Sequence, residues 1–204
     1  KSQNIVLAPT ESSDKKDQYA GAYVKEPVPG AYDWVVSFDL NSLYPSLIRF
    51  LNISPETLVE NKHPNTDVEK MILKEVDLSS PEDYAVAANG ATFDKSKKGI
   101  IPTIIDAYYT QRASVKNEML KLENALENDI TEDRQKAITK KQIVQFHNEQ
   151  MSIKILMNSL FGAWGNKYFR YYVGDIAEAI TTSGQLSVQW AENAVNKYLN
   201  SVLK

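Results

Sequence analysis

The residues best placed to do chemistry begin with Asp39-Leu40-Asn41-Ser42-Leu43-Tyr44-Pro45-Ser46. The apolar, β-prone run Trp34-Val35-Val36-Ser37-Phe38 comes just before and predicts a buried strand that ends at the aspartate. Asn41 or Ser42 can cap a helix that follows, and Pro45 suits its first turn. A carboxylate at a strand end can meet a metal ion, and the N–H groups that open a helix can face phosphate oxygens. The same aspartate can also do no more than cap the helix.

A second constellation is Lys154-Ile155-Leu156-Met157-Asn158-Ser159-Leu160-Phe161-Gly162. At 100° per residue, Lys154, Asn158 and Phe161 fall within roughly 60° on one helix face. Lys154 stands off the apolar seam, and the ring of Phe161 beside Gly162 offers a flat surface suited to a base. A surface lysine beside a core phenylalanine would read the same way. Arg112 and Lys116, four residues apart, form a third group. Three cations gathered in one place suit a triphosphate with about four negative charges. Separate surface charges are the plainer alternative.

The elements that must position these groups follow from periodicity. Pro102 opens a long helix, about 102–128, with Ile105, Tyr108, Val115, Met119, Leu122 and Leu126 on its stripe. A second runs from about 134 to 161, with Ile143, Phe146, Ile153, Met157 and Leu160. Steps of three and four are coiled-coil spacing, so two helices joined by the short polar turn at 128–133 predict an antiparallel hairpin. Arg112 and Gln150 interrupt the two seams. A buried arginine needs a partner or a route to water. Antiparallel pairing brings residues 112–116 and 154–161 together near the hairpin base.

The rest of the chain divides around this hairpin. Residues 1–18 read as an irregular lead-in, and Gly21, Pro27, Pro29 and Gly30 mark a connector. The stretch 54–99, punctuated by Pro55, Pro64, Pro81 and Gly90, predicts a small irregular insertion. Gly162 to Gly165 ends or kinks the second long helix. Tyr168 to Val173 reads as a strand or extended segment. A last helix covers about 176–202, with Ile180, Leu186, Trp190, Val195, Tyr198 and Leu199 on its apolar face. The expected fold class is mixed α/β and helix-rich.

Composition narrows the chemistry further. There are no cysteines and only two histidines, His63 and His147, so thiolate and histidine-rich metal sites are excluded. A metal held by carboxylates points to a hard cation such as magnesium. The net charge of −3 hides an uneven distribution. Nine acidic residues face three lysines between Glu56 and Asp94, whereas seven basic residues face Glu149 alone between Arg134 and Arg170. A basic stretch is the expected footprint of phosphate binding, though a solvated helix face gives the same pattern. No apolar run is long enough for a membrane span, and no secretory leader opens the chain.

These segments resemble conserved motifs of family B DNA polymerases. Asp39 through Ser46 resembles motif A, DxxSLYPS, and Lys154 through Gly162 resembles motif B, KxxxNSxYG. Tyr19-Ala20-Gly21-Ala22 is similar to the YxGG/A motif between exonuclease and polymerase regions. Asn52 through Thr57, Gly99 through Pro102, Phe169 through Tyr172 and Ala179 through Thr182 resemble the polymerases of large tailed phages. The resemblance runs from residue 19 nearly to the end. It implies a partial palm in 19–101 and 167–204 and a fingers hairpin in 102–166.

The resemblance also implies roles. Asp39 and Lys154 would be catalytic, and Asp39 with Leu40 would bind two magnesium ions. Leu40, Ser42, Leu43 and Tyr44 would hold the nucleotide, with Tyr44 under the deoxyribose as a gate against a 2′-hydroxyl. Arg112, Lys116 and Lys154 would grip the triphosphate. Asn158 would orient the nucleotide or one of those cations, and Phe161 would pack on the nascent base pair. The implied partners are primer-template DNA and a dNTP, with no membrane and a cytoplasmic location, in the host cell if the chain is phage-encoded.

Two departures qualify this. Phe161 stands where motif B has tyrosine, which keeps the ring and loses the hydroxyl. Motif C, YGDTDS, is absent, and no Asp-Thr-Asp occurs in the sequence. The expectation is an incomplete two-metal site, inactive alone. The chain would then be half of a split polymerase, with a second polypeptide supplying motif C and the thumb, or an excised fragment. The alternative reading is a non-catalytic nucleic-acid or protein-binding module that keeps the polymerase fold.

Overall fold

A computed structural model describes residues 21–33, 35–79, 83–166, 168–170 and 172–202. The first described helix, α1 (Leu43–Phe50), is short and buries Pro45 and Ile48. After it come a 3-10 turn at Pro55–Thr57, α2 (Val68–Leu73), and the strands β1 (Tyr84–Val86) and β2 (Thr92–Asp94). Three long helices complete the order: α3 (Ile100–Asn128), α4 (Asp133–Trp164) and α5 (Gly174–Val202). β1 and β2 pair antiparallel in the register Tyr84–Asp94, Ala85–Phe93 and Val86–Thr92. The chain is therefore helix-rich and mixed, as the periodicity predicts.

α3 and α4 pack as the expected antiparallel pair, joined by residues 129–132. The stripe positions are the ones that lose water: Ile105, Met119, Ile153 and Met157 are buried. The two polar interruptions answer each other across the seam. Arg112 Nε donates to Gln150 Oε1 at 3.3 Å, and Gln150 is itself buried. α4 runs through Gly162 without a break and ends at the Gly165 cap, three residues beyond the expected end.

The start of α3 is held by residues about 45 positions earlier. An α-helix leaves its first N–H groups without intrahelical acceptors. Gly99 N–H donates to Asn52 Oδ1 at 2.9 Å, Ile100 N–H to Glu56 Oε1 at 2.6 Å and Ile101 N–H to Ser54 Oγ at 3.4 Å. Pro102 has no N–H to satisfy. Asn52 also donates from Nδ2 to the carbonyls of Asp94 and Lys97, at 2.6 and 2.8 Å. A Cβ on Gly99 would lie 2.8 Å from Ser54 Cβ, so only glycine lets the two segments meet this closely. On the adjoining surface, Asp106 of α3 pairs with both Arg49 of α1 and Lys98, and Arg49 stacks over Tyr109 at 4.7 Å.

The core joins α1, the β hairpin, the base of α3–α4 and the first half of α5. Ile48, Ile53, Phe93, Ile105, Ile176 and Ile180 are all fully buried there. Ser183 of α5 accepts the Ala88 N–H at 3.1 Å, tying the helix to the β turn.

Four sequence expectations are corrected. Residues 35–38 belong to no strand among the described residues, and Val35, Val36 and Phe38 are 81%, 63% and 69% exposed. β-branched residues make a strand only where a neighbour pairs with them, and no described segment does. The stretch 54–99 is not simply irregular; its described residues include a 3-10 turn, α2 and the paired strands β1 and β2. Within 168–173 the described residues form successive turns, with Phe169 N–H donating to Asn166 O and Tyr172 N–H to Phe169 O. On α5 the apolar face buries only in its first half: Trp190 and Tyr198 are exposed, because nothing among the described residues covers them.

Candidate functional site

The segment 35–44 forms one wall of a cleft of about 1420 Å³, and α3, α4 and α5 form the others. Asp39 lies on this wall with an exposed carboxylate, just before the turn into α1. Ser42 occupies the N-cap position in the left-handed region, at φ 54, and makes no side-chain cap bond. Neither Asn41 nor Ser42 therefore caps the helix by its side chain as the sequence suggests. The left-handed residue turns the chain sharply into α1, while Ser42 O accepts the Ser46 N–H at 2.9 Å. Pro45 brings no N–H to this first turn.

From the hairpin, Arg112, Lys154, Asn158 and Phe161 line the same cleft. Lys154 and Asn158 are exposed on α4, one turn apart, as the helical spacing requires. Arg112 is half-buried, steered by Gln150 through Nε, which orders a cation that would otherwise sweep freely. Lys116, one turn further along α3, is exposed and does not line the cleft. So the structure brings together Asp39, Leu40, Ser42, Leu43, Tyr44, Arg112, Lys154, Asn158 and Phe161, and leaves Lys116 outside. The ring of Tyr44 meets that of Phe161 at 4.5 Å between centroids, tilted by 40°.

The sequence reading missed the third wall. Val188, Ala191, Glu192, Val195, Asn196 and Leu199 of α5 line the cleft, as does Tyr32. Their helical spacing marks a face, but no residue among them has a chemistry that stands out. Glu192 is occupied by an ion pair with Lys25. That hydrogen bond, with the attraction of the carboxylate, raises the Lys25 ammonium above its ordinary value.

The donor set suits a hard divalent cation. Magnesium takes one or two carboxylates and leaves its remaining positions to phosphate and water. An exposed Asp39 beside a backbone carbonyl at Leu40, lining one cleft with Arg112 and Lys154, fits that pattern. Among the described residues no cluster of three His, Cys, Asp or Glu side chains forms, so such an ion would need its other ligands from substrate or from outside this segment. Among the same residues no helix is long and apolar enough to cross a membrane.

Comparisons with known proteins bear on the whole chain. The family model described as DNA polymerase family B matches residues 1–204. The DNA-directed DNA polymerase of Escherichia phage RB69 is 36% identical over 99% of this chain and 26% of its own length. That of Enterobacteria phage T4 is 34% identical over 96% of this chain, again 26% of its own length. A solved family B DNA polymerase from the archaeon Pyrobaculum calidifontis shares the fold, with a TM-score of 0.59 and 24% identity over 93% of this chain and 21% of that one. The chain thus spans about a quarter of the length of the phage relatives it matches.

Proposed function

Because the chain belongs to DNA polymerase family B, we propose that its cleft binds an incoming dNTP with magnesium during template-directed DNA synthesis. The observation that carries this reading is that Asp39 through Tyr44 and the hairpin residues Arg112, Lys154, Asn158 and Phe161 line one cleft. Residues far apart in the chain converge on a single volume, and each has a use in nucleotidyl transfer.

Arg112 and Lys154 offer positive charge to the triphosphate and to the charge that grows on the leaving group, in a site already organised for it. Gln150 keeps the arginine in place. A helix start offers N–H groups that suit phosphate oxygens, and α1 opens on the wall of the cleft. Lys116 joins the grip only by reaching in from the neighbouring turn. Tyr44 forms a floor under the sugar that leaves no room for a 2′-hydroxyl. Phe161 offers a ring to the new base pair, and Asn158 orients the nucleotide beside it. Asp39 and the Leu40 carbonyl would hold magnesium, which activates the primer hydroxyl and balances the triphosphate charge when bound.

In this reading α3 and α4 are the fingers, and 19–101 with 167–204 are palm. The exposed Val35, Val36 and Phe38, with Trp190 and Tyr198 of α5, form apolar surface suited to the remainder of a polymerase. The second catalytic carboxylate lies outside residues 1–204, in the same or another polypeptide, so the isolated segment does not extend a primer.

The test is primer extension by the complete polymerase that contains this segment. Asp39→Asn should abolish dNTP incorporation while primer-template binding persists, and Lys154→Ala should lower incorporation on the order of a hundredfold, the scale for losing one charge-stabilising donor. Wild-type incorporation by either variant would favour a non-catalytic binding module and overturn the proposal.

A further inference from the structure

We propose that Gly184 is a positioning residue for Tyr44, and that through it the buried half of α5 sets how well the cleft accepts a dNTP. The inference rests on the reading of Tyr44 as the floor beneath the sugar. Its starting point is a glycine in the interior of a 29-residue helix. Alanine forms helix better than glycine at such positions, so the glycine needs a reason.

The reason is contact. A Cβ on Gly184 would lie 2.8 Å from Tyr44 Cε1, 3.6 Å from Tyr44 Cδ1 and 3.8 Å from Leu43 Cδ2. The first distance is well inside van der Waals contact, so α5 can support this ring only with a hydrogen at that position. The same ring meets Phe161 at 4.5 Å between centroids. Tyr44 therefore touches both the bare backbone of α5 and the hairpin ring proposed to pack on the base pair.

The helix cannot easily retreat to make room. Residues on both sides of Gly184 are tied to other parts of the chain. Ser183 accepts the Ala88 N–H at 3.1 Å, and Gln185 Nε2 donates to Gly21 O at 2.6 Å. Thr181, Thr182, Ser183 and Gly184 are all buried. Three separate segments, at Gly21, Tyr44 and Ala88, thus dock on three consecutive residues of one helix. An added methyl must be absorbed largely by the ring, which is in contact with Phe161 and lines the cleft. A packed interior passes such a displacement on instead of damping it.

The experiment is single-nucleotide incorporation by the complete polymerase, with dNTP and rNTP, for Gly184→Ala, Tyr44→Val and the double variant. Gly184→Ala should raise KM for dNTP by about tenfold, the scale of modest overpacking, with a smaller change in kcat. Tyr44→Val should relax the preference for dNTP over rNTP. Gly184→Ala should then have no further effect in the Tyr44→Val background, because the ring it displaces is gone. Unchanged KM in Gly184→Ala, or an equal shift in both backgrounds, overturns the inference and leaves the role of Tyr44 intact. An unaltered dNTP preference in Tyr44→Val overturns the gate reading, and the inference falls with it. If Gly184→Ala does not fold, thermal unfolding of the double variant decides. Recovery of the transition supports a clash with the ring, and no recovery overturns it.

Discussion

One segment leads into α1 and another leads out of it, and the two flanks could hardly differ more. After the helix, Ile53 and Ser54 are fully buried, and Asn52 is nearly so. Every polar atom of the Asn52 side chain is engaged, and the opening N–H groups of α3 are answered by Asn52, Ser54 and Glu56. Before the helix, Val35, Val36 and Phe38 stand in water. Yet the exposed flank carries the candidate metal ligand, and the buried one carries no candidate chemistry. The buried flank is a clamp that fixes the base of the long hairpin relative to α1. The open flank leads to the carboxylate that must meet substrate, and a carboxylate buried without a partner would lose its charge.

The sharpest way to break this comparison is to truncate one side chain on each flank. Asn52→Ala removes three hydrogen bonds and leaves the Gly99 N–H without its acceptor. The expected loss is about 3 kcal/mol, at about 1 kcal/mol for each bond. Alanine at φ 55 adds strain, since asparagine tolerates the left-handed region better than other side chains. Phe38→Ala, though it deletes a larger group, should change stability by less than about 0.5 kcal/mol. Urea unfolding of the two variants checks both. Equal losses would mean that the open flank is packed in solution.

A smaller effect separates the clamp from the cleft. Gln150→Leu keeps the volume of a buried seam position and removes the acceptor for Arg112. Stability should change by about 1 kcal/mol or less, the net value of one such bond. KM for dNTP should rise by several-fold because Arg112 loses its anchor. A change in stability without a change in KM would place Arg112 outside the nucleotide grip.

The smallest effect concerns a local cap within 54–99. The Lys70 N–H, bonded to the Asp67 carboxylate at 2.9 Å, holds that carboxyl below its usual value, helped by the Lys70 side chain. A lowered folded value means that the stabilisation is present above about pH 4, the ordinary range for aspartate. It is lost as pH falls through the lower folded value. Asp67→Asn should therefore flatten the acid dependence of amide protection in α2 and lower protection slightly at pH 7, where the ionised carboxylate contributes. Amide exchange across pH 2–6 measures this, and an unchanged acid profile would remove the cap from the account.

Much of this was legible in the sequence. The heptad steps in 105–126 and 143–160 set both long helices and their antiparallel pairing, because each apolar seam is buried against the other, while the bond that joins Arg112 to Gln150 came from the structure. Asp39, Tyr44, Lys154 and Phe161 stood out because their types and spacing match a known pair of motifs. The β hairpin and the clamp were not legible. Asn52, Ser54 and Glu56 act on backbone groups some 45 residues away, and no local pattern encodes a bond at that distance.

The sequence by itself determined the helices, the seam and the inventory of reactive groups, since these depend on neighbours within a few turns. Only the tertiary structure decided which groups share a cleft, that Lys116 stands outside its wall, and that Val35 to Phe38 lie exposed. It alone put the backbone of Gly184 against the ring of Tyr44. A glycine has no side chain to announce a role. Its meaning comes entirely from what would occupy the space it leaves open.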